Sequence, residues 1–294
     1  MGATGTGGTP LSVDRDLLEL MVAYGFVPSE AVAGVRPAAA RSEAPDPRRT
    51  PAVRPLALAV ASGSPRAGRT TIATGLAHAW SRAGRSVLLV DLDPSEELGR
   101  LLLLGSAITV NTGQLLLHAI TDGGEVEPSR TVLPGVDLVS SGSLYAWDSD
   151  ALPSRLRGRP TALRAALGDH LARYDRVIVD VPNAPVSLWE AAMSIVDEIL
   201  LVVAAASLVG GPGDGPARGA PGPAGSPKPS HLLLSGFDPG QPPAADRVAA
   251  LRDLLDTAIP RFPQIRSPWD VIGGAGGTAA DDAFTALAAE LDAR

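Results

Sequence analysis

The feature that most constrains the fold is a glycine-containing turn between an apolar run and a helix-forming run. The turn covers residues 63–71, reads GSPRAGRTT and fits the pattern G-x-x-x-x-G-K/R-T, with Arg69 where lysine is usual. The apolar run at 56–61 and the run at 70–83 predict a strand before the turn and a helix after it. Backbone N–H groups converge in such a turn and the helix dipole adds positive potential. The pattern therefore predicts an anion site for phosphate groups.

The residue types in this turn suit a nucleotide. A cation at the place of Arg69 contacts the β- and γ-phosphates, and the hydroxyl of Thr70 binds Mg²⁺. Pro65 and Arg66 stand where glycine is usual, which makes the loop stiffer and more crowded. The alternative is a β–α turn that binds nothing, and the motif alone does not separate the two. The candidate nucleotide-binding residues are Gly63, Ser64, Gly68, Arg69, Thr70 and Thr71.

Three carboxylates follow two further strand-like runs. Asp91 and Asp93 come after the apolar run at 86–90, and Asp180 comes after the run at 176–179. Ligands of open parallel α/β sheets bind beyond the carboxyl ends of the strands, so we expect these side chains to converge beside the turn. Carboxylates there hold Mg²⁺ directly or through its waters. Each aspartate alone also suits a helix cap or a turn, but three at matching strand ends favour a metal site. The candidate metal ligands are Thr70, Asp91 and Asp180.

These motifs resemble the ParA/MinD family of P-loop ATPases, which carry a GKGGVGKTT-like loop, then VLLIDLDPQ, then YDYIIIDTPP. The corresponding runs here are ALAVASGSPRAGRTT, SVLLVDLDP and YDRVIVDVPNAP. Weaker similarity at 135–143, 197–207 and 231–239 extends the resemblance over most of residues 52–294. Together with the alternation of strands and helices, it implies an α/β fold: a doubly wound, mostly parallel sheet with helices on both faces.

The resemblance also implies cofactors and residue roles. The cofactors are ATP and Mg²⁺, with Asp180 in the metal shell and Asp91 as the first acid of its motif. The catalytic residues are Arg69, which contacts the phosphates, and Asp93, which orients water. The implied partners are a protein or cargo and a second copy of the chain, in a homodimer.

Three positions depart from the family pattern. Ser64 stands where the family's signature lysine reaches across a dimer, Arg69 replaces the loop lysine, and Ser235 replaces an asparagine near the adenine. Arginine is a planar fork rather than a compact point charge, so it can neutralise phosphate while losing the geometry for hydrolysis. In this respect the chain is similar to degenerate members in the TadZ/CpaE branch, which act in localisation or assembly with weak or no hydrolysis.

Three functions follow as hypotheses. The first is a weak ATPase switch that helps to position or assemble a cellular cargo. The second is a pseudo-ATPase scaffold that acts only through protein contacts, which the departures at Ser64, Arg69 and Ser235 favour. The third is an ATP-dependent amide-forming or carboxylating enzyme on the same fold, for which the sequence shows no sign of a substrate pocket.

Composition narrows the class of protein. The formal charge of −7 argues against a strongly basic nucleic-acid-binding protein. The absence of cysteine excludes disulfides and thiolate metal sites. No apolar run reaches the roughly 20 residues that span a bilayer. The run at 281–294 is acidic rather than basic, and we expect its apolar face to pack on the domain. We expect a cytoplasmic protein.

The chain divides into an N-terminal segment, residues 1–50, and a domain, residues 51–294. The segment contains a short amphipathic helix at 13–34 that either docks a partner or folds back, followed by a linker rich in Pro and Arg. The run at 210–230 is rich in Gly and Pro, and predicts a disordered insert between two strands or a changed strand order. The predicted helices are 70–83, 111–121, 161–174, 244–258 and 280–293.

Overall fold

The computed structural model describes residues 12–13 and 36–37 and most of residues 55–294. The first two ranges are short strands, β1 (Ser12–Val13) and β2 (Arg36–Pro37), that pair in parallel. The predicted helix at 13–34 lies outside the described residues except for Val13, and so does most of the predicted insert at 210–230. Within 55–294 the ranges not described are 64–66, 94–97, 99–101, 103–111, 142–149, 209–228, 239–247, 249–250, 252–253, 264, 266–269 and 272–276.

An eight-stranded sheet forms the centre of the domain. Its order is β10-β9-β8-β3-β7-β4-β6-β5, and every neighbouring pair is parallel except β5 with β6. The carboxyl ends of the central strands therefore meet at one edge, where Asp91 pairs with Asp180. The predicted doubly wound, mostly parallel sheet is confirmed. The strands are β3 (Leu56–Ser62), β4 (Val87–Asp91), β5 (Ser129–Arg130), β6 (Val136–Ser140), β7 (Arg176–Asp180), β8 (Glu198–Ala204), β9 (His231–Phe237) and β10 (Ile259–Pro260).

Helices cover both faces of this sheet. The helices α1 and α7 share one hydrophobic core with one face, and the helices from α2 to α6 share a second core with the other face. The helices are α1 (Arg69–Arg82), α2 (Thr112–Asp122), α3 (Ala151–Leu156), α4 (Ala162–Leu167), α5 (His170–Arg173), α6 (Val186–Met193) and α7 (Gly277–Ala293), and a short 3₁₀ helix (Ala205–Leu208) follows β8.

The central strand β3 is apolar along a continuous run rather than at alternate positions, and its place in the sheet explains this. Leu58 and Val60 belong to the core under α1 and α7, whereas Ala57 and Ala59 belong to the core on the opposite face. Successive side chains of a strand point to opposite faces. A strand that is covered on both faces is therefore apolar throughout.

The run at 281–294 is predicted to pack its apolar face on the domain, and in the structure nearly all of it belongs to α7, which packs on α1. The buried side chains of α7 include Phe284, Leu287 and Leu291. A Cβ atom on Gly75 of α1 would collide with the ring of Phe284, so this glycine makes room for the close approach of the two helices. Among the described residues, none of the helices has the length and apolar character that crossing a membrane requires.

Two helix predictions need correction. The predicted helix at 161–174 is divided into α4 and α5, because Gly168 between them adopts a positive φ of 50° that ends α4. The predicted helix at 244–258 is wrong in its second half, since Leu254 bridges to Leu232 of β9 and the chain then enters β10.

The strands β8 and β9 are parallel neighbours, so the connection that contains 210–230 joins adjacent strands.

Candidate functional site

The loop after β3 lies at the carboxyl edge of the sheet. Gly63 is exposed at the end of β3, and Gly68 precedes the first residue of α1 with a φ of 86°. Only glycine adopts that left-handed conformation without strain. The carbonyl of Gly68 then accepts the N–H of Ile72 at 2.9 Å, which begins the helix. The strand and the helix predicted from the motif are therefore present, and Ser64, Pro65 and Arg66 lie outside the described residues.

Arg69 binds two of the predicted carboxylates. Its Nε donates to Oδ1 of Asp180 at 2.5 Å, and its Nη2 donates to Oδ2 of Asp93 at 2.6 Å. The side chain of Arg69 is 12% exposed and that of Asp180 is 0% exposed. These charge-assisted bonds are therefore largely removed from water, where they are strongest.

Thr70 and Asp91 complete the cluster. Thr70 Oγ1 donates to Oδ2 of Asp180 at 2.7 Å, so both carboxylate oxygens of Asp180 accept hydrogen bonds. Oδ1 of Asp91 accepts the backbone N–H of Asp93 at 2.9 Å, whereas Oδ2 of Asp91 is buried with no hydrogen-bond partner among the described residues. An unpartnered buried carboxylate oxygen is costly, and such atoms are typical of functional sites.

Burial and mutual repulsion shift the titration of these groups. Burial, and then the charge of Asp180, hold the pKa of Asp91 well above its usual range. Burial also raises the pKa of Asp180, although Arg69 and the hydroxyl of Thr70 oppose that rise. Burial lowers the pKa of Arg69, but Asp180 and Asp93 outweigh it, and the pKa stays above its ordinary value. Arg69 is therefore a fixed cation, and Asp91 holds a proton more readily than an ordinary aspartate does.

The Mg²⁺ implied by the sequence does not fit this arrangement. Its candidate ligands come together, since Thr70, Asp91 and Asp180 lie at one edge of the sheet. However, the guanidinium of Arg69 fills the position between Asp180 and Asp93, so a metal ion at Asp180 would have to displace that cation. In the part of the chain that the structure describes, no three His, Asp or Glu side chains are arranged to hold a metal ion.

A cavity of about 400 Å³ opens beside the loop. Gly68 and Thr71 line it on the side of α1, and Ser235, at the end of β9, lines it on the other. A Cβ atom on Gly68 would lie 3.5 Å from Oγ of Ser235, so the loop and β9 approach closely. Pro260, the last residue of β10, and Phe262, which follows that strand, line the same cavity. Its volume lies within the range of small-molecule sites.

Two polar residues at this edge were not predicted from the sequence. Ser141 follows β6, donates its N–H to the carbonyl of Asp91 at 2.7 Å, and has a buried Oγ with no partner among the described residues. Asn183 follows β7, and its Oδ1 accepts a hydrogen bond from the hydroxyl of Ser62 at 3.3 Å. Ser141 comes directly after an apolar strand and Asn183 comes shortly after another, so the rule that selects the three aspartates also selects these residues.

The comparison with protein-family models matches residues 57–261 to the model described as cellulose biosynthesis protein BcsQ. The matched range covers more than half of the chain and includes the loop, the three aspartates and most of the residues that line the cavity.

Comparison with curated proteins gives a relative that is a partitioning ATPase. The chain is 32% identical over 153 residues to the chromosome-partitioning ATPase Soj of Thermus thermophilus, a match covering 52% of this chain and 55% of that protein. The chain thus spans about half the length of this curated relative.

Two solved structures share the fold. One is the septum site-determining protein MinD of Pyrococcus horikoshii with Mg-ADP, which has a TM-score of 0.58 and 21% identity and covers 81% of this chain and 96% of that one. The other is cobyrinic acid a,c-diamide synthase of Mycobacterium smegmatis with a bound ATP analogue and magnesium. Its TM-score is 0.55 at 22% identity, and it covers 78% of this chain and 93% of that one. At these identities the likeness shows the fold alone.

Proposed function

The chain belongs to the family of the cellulose biosynthesis protein BcsQ, among the ParA/MinD P-loop ATPases, and from this premise we propose that it binds an adenine nucleotide. The phosphates lie at the loop of residues 63–71, and the nucleoside lies in the cavity between Gly68 and the end of β9. The observation that carries this proposal is the cavity of about 400 Å³ directly beside the loop. The MinD and synthase structures carry ADP and an ATP analogue, which supports an adenine nucleotide as the ligand.

The proposed role is a weak ATPase switch that positions or assembles a cargo. The relatives are named for chromosome partitioning and septum-site determination, and both names concern the placing of cellular components. A homodimer, a protein partner or cargo and a cytoplasmic location remain predictions.

The second candidate is a pseudo-ATPase scaffold, and the position of Arg69 favours it. Phosphoryl transfer depends on well-placed cations and little else. Here the loop cation is held by Asp93 and Asp180, and it must leave both before it can contact a phosphate. Such a site binds nucleotide more readily than it hydrolyses it. Likeness to the amide-forming synthase shows the fold alone and does not favour the third hypothesis.

The test is isothermal titration of ADP into the wild type and two Ser→Leu variants. Ser235→Leu fills the cavity, and we expect it to weaken ADP binding at least about tenfold, since the new side chain takes the space of the nucleoside. Ser129→Leu, on β5 at the far edge of the sheet, is the matched control and leaves the affinity unchanged. Equal affinity in all three proteins, or no binding by the wild type, overturns the proposal.

A further inference from the structure

We infer that Arg69 is a built-in counter-ion that takes the place of a divalent cation in this site. The guanidinium lies between Asp93, which follows β4, and Asp180, the last residue of β7. One of these carboxylates, Asp180, is a candidate metal ligand, and Arg69 supplies the positive charge that a metal ion would bring to it. The inference deepens the proposed function and rests on it where nucleotide is concerned, but its first test needs no nucleotide.

The hydrogen bonds of Asp180 show that the guanidinium and a metal ion exclude one another. Oδ1 accepts from Arg69 and Oδ2 accepts from the hydroxyl of Thr70. A metal ion bound to Thr70 and Asp180 would need the space that the guanidinium fills, and it would lie beside that positive charge. Its binding therefore breaks the contact of Arg69 with Asp180.

Burial makes that exchange unfavourable. Asp180 is fully buried, and the side chain of Arg69 is 12% exposed. Removing one partner of a buried ion pair leaves an uncompensated charge in a medium of low dielectric constant. Mg²⁺ must also lose tightly held water to enter such a site. Arg69, in contrast, is positioned by folding alone, because it is the first residue of α1.

The shape of the side chain matters as well as its charge. The Nε and Nη2 atoms of one planar group reach two different carboxylates at once. Lysine offers one compact ammonium on a flexible stem, and it does not hold two carboxylates with a rigid fork. Arg69→Lys therefore keeps the positive charge but opens the position between Asp93 and Asp180.

The first experiment measures thermal unfolding of the full chain with MgCl₂ and with EDTA. We expect the wild-type Tm to differ by less than about 1 °C between the two. Arg69→Met lowers the Tm by at least about 5 °C in EDTA, and Mg²⁺ restores part of that loss because it can now neutralise the freed carboxylates. The matched control is Arg82→Met on the same helix, whose ion pair with Asp281 at 2.5 Å is exposed. We expect the Tm of Arg82→Met to stay close to that of the wild type and to be the same in Mg²⁺ and in EDTA.

The second experiment measures ADP affinity in Mg²⁺ and in EDTA, and it remains decisive if Arg69→Met does not fold. The wild-type Kd differs by less than about threefold between the two conditions, whereas Arg69→Lys binds at least about tenfold more tightly with Mg²⁺. A wild type whose Tm rises by several degrees with Mg²⁺, or whose Kd falls tenfold with it, overturns the inference. Absence of ADP binding by the wild type refutes the proposed function, and the Tm of the wild type in Mg²⁺ then decides the inference alone.

Discussion

Two buried arginines lie at opposite edges of the same sheet, and each binds aspartate. At the amino edge, Arg176 begins β7, bonds Oδ1 of Asp292 at 2.6 Å through Nη2, and stacks over Trp80 with 5.5 Å to the ring centroid. The indole N–H of Trp80 donates to the same oxygen of Asp292 at 3.0 Å. This cluster ties β7, α1 and α7 together.

At the carboxyl edge, Arg69 meets more negative charge than it can balance. It bonds Asp93 and Asp180, and Asp91 lies beside them with one buried oxygen that has no partner among the described residues. The amino edge is thus arranged to hold the fold together. The carboxyl edge retains an excess of acidic groups beside a loop and a cavity, which is typical of a binding site.

The largest expected effect tests the structural role of the amino edge. Arg176→Met should lower the free energy of unfolding by about 3 kcal/mol, because it leaves Asp292 without its charged partner. The affinity for ADP should stay within about twofold of the wild type, since the cluster is remote from the cavity. Urea unfolding and ADP titration measure the two quantities. Loss of ADP affinity at unchanged stability would show that the amino edge serves the ligand.

The substitution Arg69→Lys tests the ligand-binding role of the carboxyl edge. We expect it to tighten ADP binding in Mg²⁺ by about tenfold, or about 1.4 kcal/mol, or to raise hydrolysis. The lysine has the compact charge that phosphate loops use, while the rest of the loop from Gly68 to Thr71 is standard. Titration of both proteins under one condition is the measurement. Unchanged or weaker binding would identify Pro65 and Arg66 as the obstruction.

Asp91→Asn sharpens the claim of excess negative charge. Because the folded protein raises the pKa of Asp91, it binds a proton there more tightly than the unfolded chain does. The wild type therefore loses stability as the pH rises from the ordinary pKa of an aspartate through the raised one. The asparagine keeps the acceptor for the N–H of Asp93 and removes the charge, so we expect about 1 kcal/mol of added stability at pH 8.

The difference between Asp91→Asn and the wild type should shrink as the pH falls through the raised pKa towards the ordinary pKa of an aspartate, because the carboxyl in the folded protein is then protonated and uncharged. Urea unfolding across this pH range tests both statements. Lower stability of the variant at pH 8 would show that the carboxylate has a partner of its own there.

The smallest effect is expected for the connection between β8 and β9. Its composition predicts that it buries little, and the cost of closing a loop changes slowly with length. Deleting residues 211–226 should shift the Tm by less than about 2 °C and leave both edges intact. The deletion spares Ser230, because its N–H donates to the carbonyl of Ile199 at 2.9 Å. A large fall in Tm would show that the segment packs against the domain.

Much of the fold could be predicted because its determinants are local. The apolar runs that became β3, β4 and β7 are buried on both faces, and the motif of residues 63–71 required a strand before it and a helix after it. The helices at 161–174 and 244–258 were less accurate. Gly168 ends α4, and pairing of Leu254 with β9 overrides the local preference for helix.

The convergence of the candidate residues at one edge could be predicted, but their contacts could not. Asp93 and Asp180 contact Arg69, and Thr70 contacts Asp180, at the edge that the strand ends predict. The group that Arg69 contacts depends on its rotamer and on its burial. The spacing of residues in the sequence determines neither of these. The sequence pattern therefore assigned Arg69 to phosphate, whereas the structure places it on carboxylates.

Phosphate release by the purified protein with Mg²⁺-ATP is the measurement that decides between a switch and a scaffold. Both the wild type and an Asp180→Ala variant should be followed at ATP concentrations that saturate binding. We predict release at or near background for both, because Arg69 is held by Asp93 and Asp180 and a lost transition-state cation costs orders of magnitude in rate. Clear turnover by the wild type that disappears in Asp180→Ala would contradict this, and would show that the chain is a hydrolytic switch.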